Sequence, residues 1–202
     1  MSLFKLLGWK ADFNCEIPDK CVVCIAPHTS NWDFIMGVLF KSAYKIKANF
    51  FIKKEWVRFP TKTLMLKLGG IPVNRGKQQS TTDIIAAEFA KREKLIIGMS
   101  PEGTRKHNPD WKMGFYYIAL KANVPILLAA IDYKTKTISV SKEFFPTGNI
   151  ENDLTEISDF FKNITPKFPE KFSLPKIEQR AKNKEQRTKN KEQGQVSDVK
   201  KS

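Results

Sequence analysis

Long apolar runs are scarce in this 202-residue chain; the most conspicuous, Val124 to Ile131, is far shorter than the ~20 residues a helix needs to cross a bilayer. No transmembrane helix is expected. Cysteine is equally scarce, because Cys15, Cys21 and Cys24 form an odd, tightly spaced set that does not outline the framework of a small secreted protein. A reducing, cytoplasmic setting follows. The opening MSLFKLLGWKADF carries Lys5 inside its apolar stretch and lacks a long apolar core with a small-residue cleavage site, so it does not read as a secretory signal. Only two histidines are present and no second close ligand pair accompanies Cys21 and Cys24, which on an extended strand would point to opposite faces. Neither a metal nor a bound cofactor is expected. The Cys pair precedes Pro27 instead of opening a helix, which disfavours thiol redox chemistry. A Gly-rich segment ending in Lys-Ser or Lys-Thr is also lacking, which removes support for nucleotide hydrolysis.

Acidic residues are few, 21 against 35 Lys and Arg, leaving a formal net charge of +14. Such a field draws phosphates, nucleic acid, anionic lipid or an acidic carrier before any specific contact forms. From Lys176 onward nine basic residues face four acidic ones with little apolar content, a net +5 that reads as a disordered tail over 176–202. The segment 1–20 reads as a surface or membrane-contact appendage: Leu3, Phe4, Leu6, Leu7 and Trp9 either form a short amphipathic surface helix or fold back onto the core. Between them, 21–175 has room for one domain.

Within that domain short strands and helices alternate. Val22 to Ala26 reads as a buried strand ended by Pro27, and Asn31 can cap a helix carrying the apolar stripe Phe34, Ile35, Val38, Leu39 and Phe40. A strand near Asn49 to Ile52, a helix near Thr61 to Leu68 stopped by Gly69 and Gly70, and a strand at Ile71 to Val73 follow. The next helix, Asp83 to Arg92, leads to a strand at Leu95 to Ile97 and a turn through Ser100, Pro101 and Gly103. A helix over Gly114 to Lys121, a strand over Pro125 to Ile131, an edge strand at Thr137 to Val140 and a helix over Asp153 to Asn163 complete the pattern. It predicts an α/β single-domain sandwich with a central mixed sheet and surrounding helices.

Three segments bear chemistry. In His28-Thr-Ser-Asn-Trp-Asp33 the histidine falls where a strand opens into a loop and the aspartate in the first turn of the next helix. A carboxylate holding one imidazole nitrogen leaves the other free as a general base toward an alcohol. His and Asp at this spacing are commonly no more than solvated loop residues; their position after a buried strand argues for more. Ser100-Pro-Glu-Gly-Thr-Arg105 follows another strand, at the edge where open α/β sheets form sites. There Gly103 permits a close turn, Thr104 and Arg105 can donate hydrogen bonds, and Glu102 can orient Arg105 or accept from a substrate hydroxyl. Gly70-Ile-Pro-Val-Asn-Arg75 sets Arg75 beyond a third strand, so that two arginines could share an anion. Lys112 adds electrostatic support or merely covers surface.

In this order the segments resemble the glycerolipid acyltransferase family that includes the lysophosphatidic acid acyltransferases. His28 through Asp33 is similar to its H-x4-D block, Gly70 through Arg75 to its second, Pro101 through Arg105 to its Pro-Glu-Gly-Thr-Arg block, and Val124-Pro125-Ile126 to its fourth. The resemblance implies acyl transfer from acyl-CoA or acyl carrier protein to the hydroxyl of lysophosphatidic acid or a related acidic lipid, with His28 as base and Asp33 as its partner. It further implies that Arg75, Glu102, Gly103, Thr104 and Arg105 shape acceptor recognition and that Pro125 is mainly structural. Pro27 stands where relatives often have asparagine, and the short N-terminal region lacks the membrane-spanning segments common among them. An amino-acid lipid is the alternative acceptor. The expected setting is peripheral, on the cytoplasmic membrane face, with anionic lipid and an acyl carrier protein as partners.

A basic nucleic-acid-binding protein is a reading of a different class, since the tail could condense on a phosphate backbone. It explains the charge but gives the histidine and glutamate-glycine segments no role, and no specific nucleic acid is expected.

Overall fold

The computed structural model describes residues 2–53, 62–73 and 80–177. In chain order its elements are α1 (Leu3–Leu6), β1 (Lys10–Phe13), β2 (Lys20–Ala26), α2 (Asn31–Ala43), β3 (Ala48–Lys53), α3 (Lys62–Lys67), β4 (Gly70–Val73), α4 (Thr81–Lys91), β5 (Leu95–Met99), α5 (Gly114–Ala122), β6 (Ile126–Asp132), β7 (Thr137–Val140) and α6 (Ile150–Phe161). The strands form one sheet in the order β1-β7-β6-β2-β5-β3-β4. Every neighbouring pair is parallel except the β6–β7 hairpin. The expected α/β sandwich with a mixed central sheet is therefore the observed architecture.

Strand alternation divides the core in two. Val22, Cys24 and Ala26 of β2, with Leu95, Ile97, Ile126, Leu128 and Ala130, pack against Ile85 and Phe89 of α4, Phe115 and Ile118 of α5, and Leu154, Ile157 and Phe161 of α6. Cys21, Leu127, Ile131, Ile138 and Val140 meet Phe4, Trp9, Met36 and Phe40 on the other face. Cys21 and Cys24 thus belong to opposite layers, as strand geometry requires, and cannot converge on one ion.

Three expectations are corrected. Thr137–Val140 is not an edge, because β1 pairs parallel to it through Lys10↔Thr137 to Phe13↔Val140. Nothing in the short, mostly exposed KADF segment marks it as a strand until β7 supplies its partner. The apolar residues of α2 do not form one buried stripe, for Met36 and Phe40 are buried while Phe34 and Ile35 are exposed. Gly70 begins β4, leaving Gly69, at φ +90°, as the residue that ends the preceding turn. A side chain at Gly69 would also press on the Ala48 carbonyl oxygen at 2.8 Å.

The two alternatives for the N-terminal segment are both realised, residue by residue. Phe4 is fully buried against Phe40, Tyr44 and Trp9, whereas Leu3, Leu6 and Leu7 are exposed, Leu6 at 62%. Phe4→Ala should lower unfolding free energy by about 3–5 kcal/mol through lost burial and a residual cavity, whereas Leu6→Ser should stay within about 0.5 kcal/mol of the parent. Urea unfolding of both variants checks the contrast.

Candidate active site

β2 lies between β5 and β6 and runs parallel to both, with Cys24 opposite Met99 and Ala26 opposite Ala130. The segments leaving the C-terminal ends of these three strands consequently meet at one sheet edge. His28 emerges from the middle strand, Glu102 to Arg105 from one side and Tyr133 from the other. The Ala26–Pro27 peptide between strand and histidine is cis.

Helix-start chemistry accounts for the five-residue spacing of His28 and Asp33. Ser30, not Asn31, is the N-cap: its hydroxyl accepts from the Trp32 amide at 3.0 Å, and Asp33 in the first turn reaches back to the Ser30 amide at 2.7 Å, completing a capping box. The same Asp33 Oδ2 accepts from the Thr29 amide at 2.7 Å and lies 3.6 Å from His28 Nδ1. That last separation is an ion-pair distance, too long for a hydrogen bond. Asp33 Oδ1 accepts from the Tyr133 hydroxyl at 2.7 Å and weakly from the Ser30 hydroxyl at 3.4 Å. The carboxylate is buried at the positive end of the α2 dipole.

Burial lowers the pKa of His28 below 6.5, with Asp33 opposing and the Arg105 charge reinforcing the shift. The imidazole is accordingly neutral at neutral pH, the state a general base requires. Glu102 is 1% exposed, and its Oε1 accepts from the His28 backbone amide at 2.7 Å. Among the described residues no ion pair or hydrogen bond joins Arg105 to Glu102. Its carboxylate instead fixes the backbone of the histidine, and among the described residues Oε2 has no hydrogen-bond partner. Burial pushes the Glu102 pKa up to about 7, against the counteracting His28 amide and with a further upward push from Asp33.

Gly103, Thr104, Arg105 and Lys112 lie with Glu102 in the segment between β5 and α5. Gly103 takes φ +65°, and the Lys112 side chain lies across it, within 2.9 Å of where a Cβ would be. The Lys112 amide donates to the Pro101 carbonyl at 2.7 Å, and Asn108 Nδ2 donates to the Glu102 carbonyl at 2.8 Å. Thr104 is half-buried and accepts from the Lys106 amide, while Arg105 is exposed and close enough for its charge to act on His28. β4 ends at Val73 on the same edge, three strands from β2; Arg75 lies outside the described residues. Pro125 passes its carbonyl to the Val22 amide at 3.0 Å, a structural contact.

Two residues escaped the sequence reading, Tyr133 and Asn108. Asn108 had a local signal, since Asn-Pro marks a turn and an Asn side chain commonly accepts from the amide two residues on, here Asp110 at 3.0 Å. Tyr133 had none, being 100 positions from the carboxylate it contacts.

The raised pKa of Glu102 makes stability pH-dependent with a defined sign. The neutral form is favoured on folding, so the contribution is intact below the unfolded value of 4.5 and is lost as pH rises through about 7. Glu102→Gln retains the acceptor for the His28 amide and should flatten the pH 4.5–8 stability profile by about 3 kcal/mol. Parallel urea titrations across that window measure the difference.

The chain is similar to known proteins in sequence and in fold. A family model described as acyltransferase matches residues 14–132, from just after β1 to the end of β6. The 1-acyl-sn-glycerol-3-phosphate acyltransferase beta of Homo sapiens is 28% identical over 144 residues, covering 67% of this chain and 50% of that protein. The chain thus spans about half the length of this curated relative. Among solved structures, the 1-acyl-sn-glycerophosphate (LPA) acyltransferase of Thermotoga maritima shares the fold with a TM-score of 0.54 at 18% identity, covering 79% of this chain and 72% of that one. With the family model accounting for more than half of its residues, the chain belongs to the acyltransferase family, the glycerolipid group that its ordered motif blocks resemble.

Proposed function

We propose that the protein transfers a fatty acyl group from acyl-CoA or acyl carrier protein to the hydroxyl of lysophosphatidic acid or a related acidic lipid precursor. The observation that carries this reading is the His28 imidazole set 3.6 Å from the buried Asp33 carboxylate, on the sheet edge that also presents Arg105. In this mechanism Nε2 of His28 takes the acceptor hydroxyl proton as its oxygen attacks the thioester carbonyl. Asp33 stabilises the resulting imidazolium, which returns the proton to the departing thiolate as the tetrahedral centre collapses. The acceptor oxygen gains an ester bond and the donor leaves as a thiol.

Arg105 and Arg75 supply cationic charge for the acceptor's phosphate, with Lys112 adding to the field. Glu102 contributes to the site by holding the His28 backbone through Oε1, and Gly103 and Thr104 shape the adjoining turn. Transfer is direct. Cys24 is completely buried, with burial raising its thiol pKa; burial also pushes Cys21 up to about 12, and Cys15 donates to the Ser141 carbonyl with its pKa likewise raised by burial. None is an activated nucleophile.

The proposed setting is peripheral, on the cytoplasmic membrane face, with 21–175 as the catalytic unit and 176–202 as a basic tail. Among the described residues no helix is long and apolar enough to cross a membrane. Exposed Leu3, Leu6 and Leu7 on one side of the sheet, together with Trp32, 53% exposed at the start of α2, and its neighbour Phe34, offer apolar contact. The formal +14 supports attraction to anionic lipid or to an acidic acyl carrier.

Purified enzyme assayed with lysophosphatidic acid and its dephosphorylated counterpart tests the assignment. His28→Ala should cut turnover of both by about 10²–10⁴-fold, and full retention of activity would overturn the mechanism. Arg105→Ala should lower kcat/KM for the phosphorylated acceptor about 10- to 100-fold with much less effect on the neutral one; equal losses would reject the phosphate clamp. The acid limb of kcat/KM should lie below pH 6.5, because the base acts deprotonated and its pKa is lowered.

Vesicle binding tests the surface assignment. Deleting Lys176 through Ser202 should weaken attachment to anionic vesicles more at low salt than at high salt, since screening removes exposed electrostatics. Losses equal at every ionic strength would reject an electrostatic role for the tail.

A further inference from the structure

We propose that Tyr133 is a positioning residue for the His28–Asp33 pair, its hydroxyl donating to Asp33 Oδ1 at 2.7 Å while the segment Thr165 to Phe168 holds the tyrosine in place. The inference rests on the reading of His28 as the base. Tyr133 follows β6 immediately, and both it and the holding segment lie beyond the residues that the family model matches.

The contacts around Tyr133 form a closed set. Its backbone amide donates to the Thr165 carbonyl at 2.8 Å, and two residues beyond Pro166 the Phe168 amide donates to the Thr29 hydroxyl at 3.3 Å. Thr29 is in turn the residue whose own amide binds Asp33 Oδ2. The segment is therefore tied at one end to the tyrosine and at the other to the loop that carries the histidine. Trp9 meets the Tyr133 ring edge-on at 5.2 Å between centroids, and the Lys167 ammonium lies 4.8 Å from the Trp32 ring centroid and 5.7 Å from that of Tyr133. The phenol is thus fixed by backbone, ring and cation contacts.

What this achieves follows from the lone pairs of Asp33. Oδ2 is directed toward Thr29, Ser30 and His28, and the firm donor to Oδ1 is Tyr133, since the Ser30 hydroxyl is 3.4 Å away. Holding Oδ1 prevents rotation of the carboxylate and keeps Oδ2 on the imidazole side. A phenol sharing the negative charge also moderates the pull of Asp33 on the His28 proton, which keeps the imidazole neutral and basic at neutral pH. Burial and the Asp33 bond raise the Tyr133 pKa, so the phenol remains a donor across the working range. Among the described residues, the charged groups facing this assembly are Asp33 from α2, Glu102 and Arg105 from the β5–α5 loop, and Lys167 from the holding segment.

The test compares the full-length protein with Tyr133→Phe, which keeps the ring and its contact with Trp9 and removes only the hydroxyl. Turnover of lysophosphatidic acid with acyl-CoA is followed against pH, and the His28 imidazole is titrated by NMR, its signal identified by its loss in His28→Ala. The expected result is a kcat about 10-fold lower, KM values within about 2-fold of the parent for both substrates if the role is positioning alone, and an acid limb and imidazole titration both displaced to higher pH. An unmoved imidazole titration, even alongside a lower Tm, reduces Tyr133 to a packing residue and overturns the proposal. If Tyr133→Phe does not fold, 3-fluorotyrosine at the same position, a stronger donor of nearly the same shape, should move the titration to lower pH; no movement is again the overturning result. Retained activity in His28→Ala would instead sink the base assignment, so the two failures are distinguishable.

Discussion

The Asp33 carboxylate is the point on which the local structure converges. It closes the N-terminus of α2, gathers the two amides that follow His28, and receives the phenol of Tyr133. A helix of 13 residues needs partners for its first amides, and an acidic residue in the first turn supplies one while interacting favourably with the helix dipole. Because the chain between His28 and the N-cap is a single residue, that structural duty brings the carboxylate back beside the imidazole. The carboxylate that caps the helix is thus also the one beside the imidazole.

Topology explains why the rest of the site assembles around it. A parallel strand carries its following loop to the same sheet edge as its parallel neighbours, and β2 has such a neighbour on each side. Glu102 needs only to cross from β5 to reach the His28 amide, and Tyr133 only from β6 to reach Asp33. The histidine is consequently clamped through its backbone from one side while its carboxylate partner is clamped from the other. Neither clamp touches the imidazole, which leaves that ring free to exchange a proton.

The legible part of this arrangement was the part governed by local periodicity and by short motifs. Val22 to Ala26 lies in a strand, as its apolar run indicates, Pro27 follows the strand's end, and the helices and strands from Ala48 to Val140 fall within a few residues of their expected bounds. What escaped depended on partners distant in sequence. β1 becomes a strand because Lys10 to Phe13 lies against Thr137 to Val140, and Tyr133 reaches Asp33 because β6 borders β2. The cap was misplaced by one residue for another reason: Ser30 and Asn31 are both competent caps, and only the backward reach of Asp33 selects Ser30. Glu102 was singled out by its motif, yet its attachment to the His28 amide required knowing that β5 borders β2.

The 3.6 Å between His28 Nδ1 and Asp33 Oδ2 acquires a meaning from the demands on that carboxylate. Two backbone amides already occupy Oδ2 and a phenol occupies Oδ1, so the aspartate is committed before the histidine is charged. A bare buried carboxylate at this range would draw a proton onto the imidazole and hold it there; a solvated one would scarcely act on it. A carboxylate already sharing its charge with three donors lies between these limits. Burial lowers the imidazole's proton affinity, the committed aspartate restores part of it, and Arg105 opposes that restoration. The ring is left weakly paired in its resting state, with a fixed counter-charge whose attraction strengthens when the imidazole takes up a proton and becomes cationic.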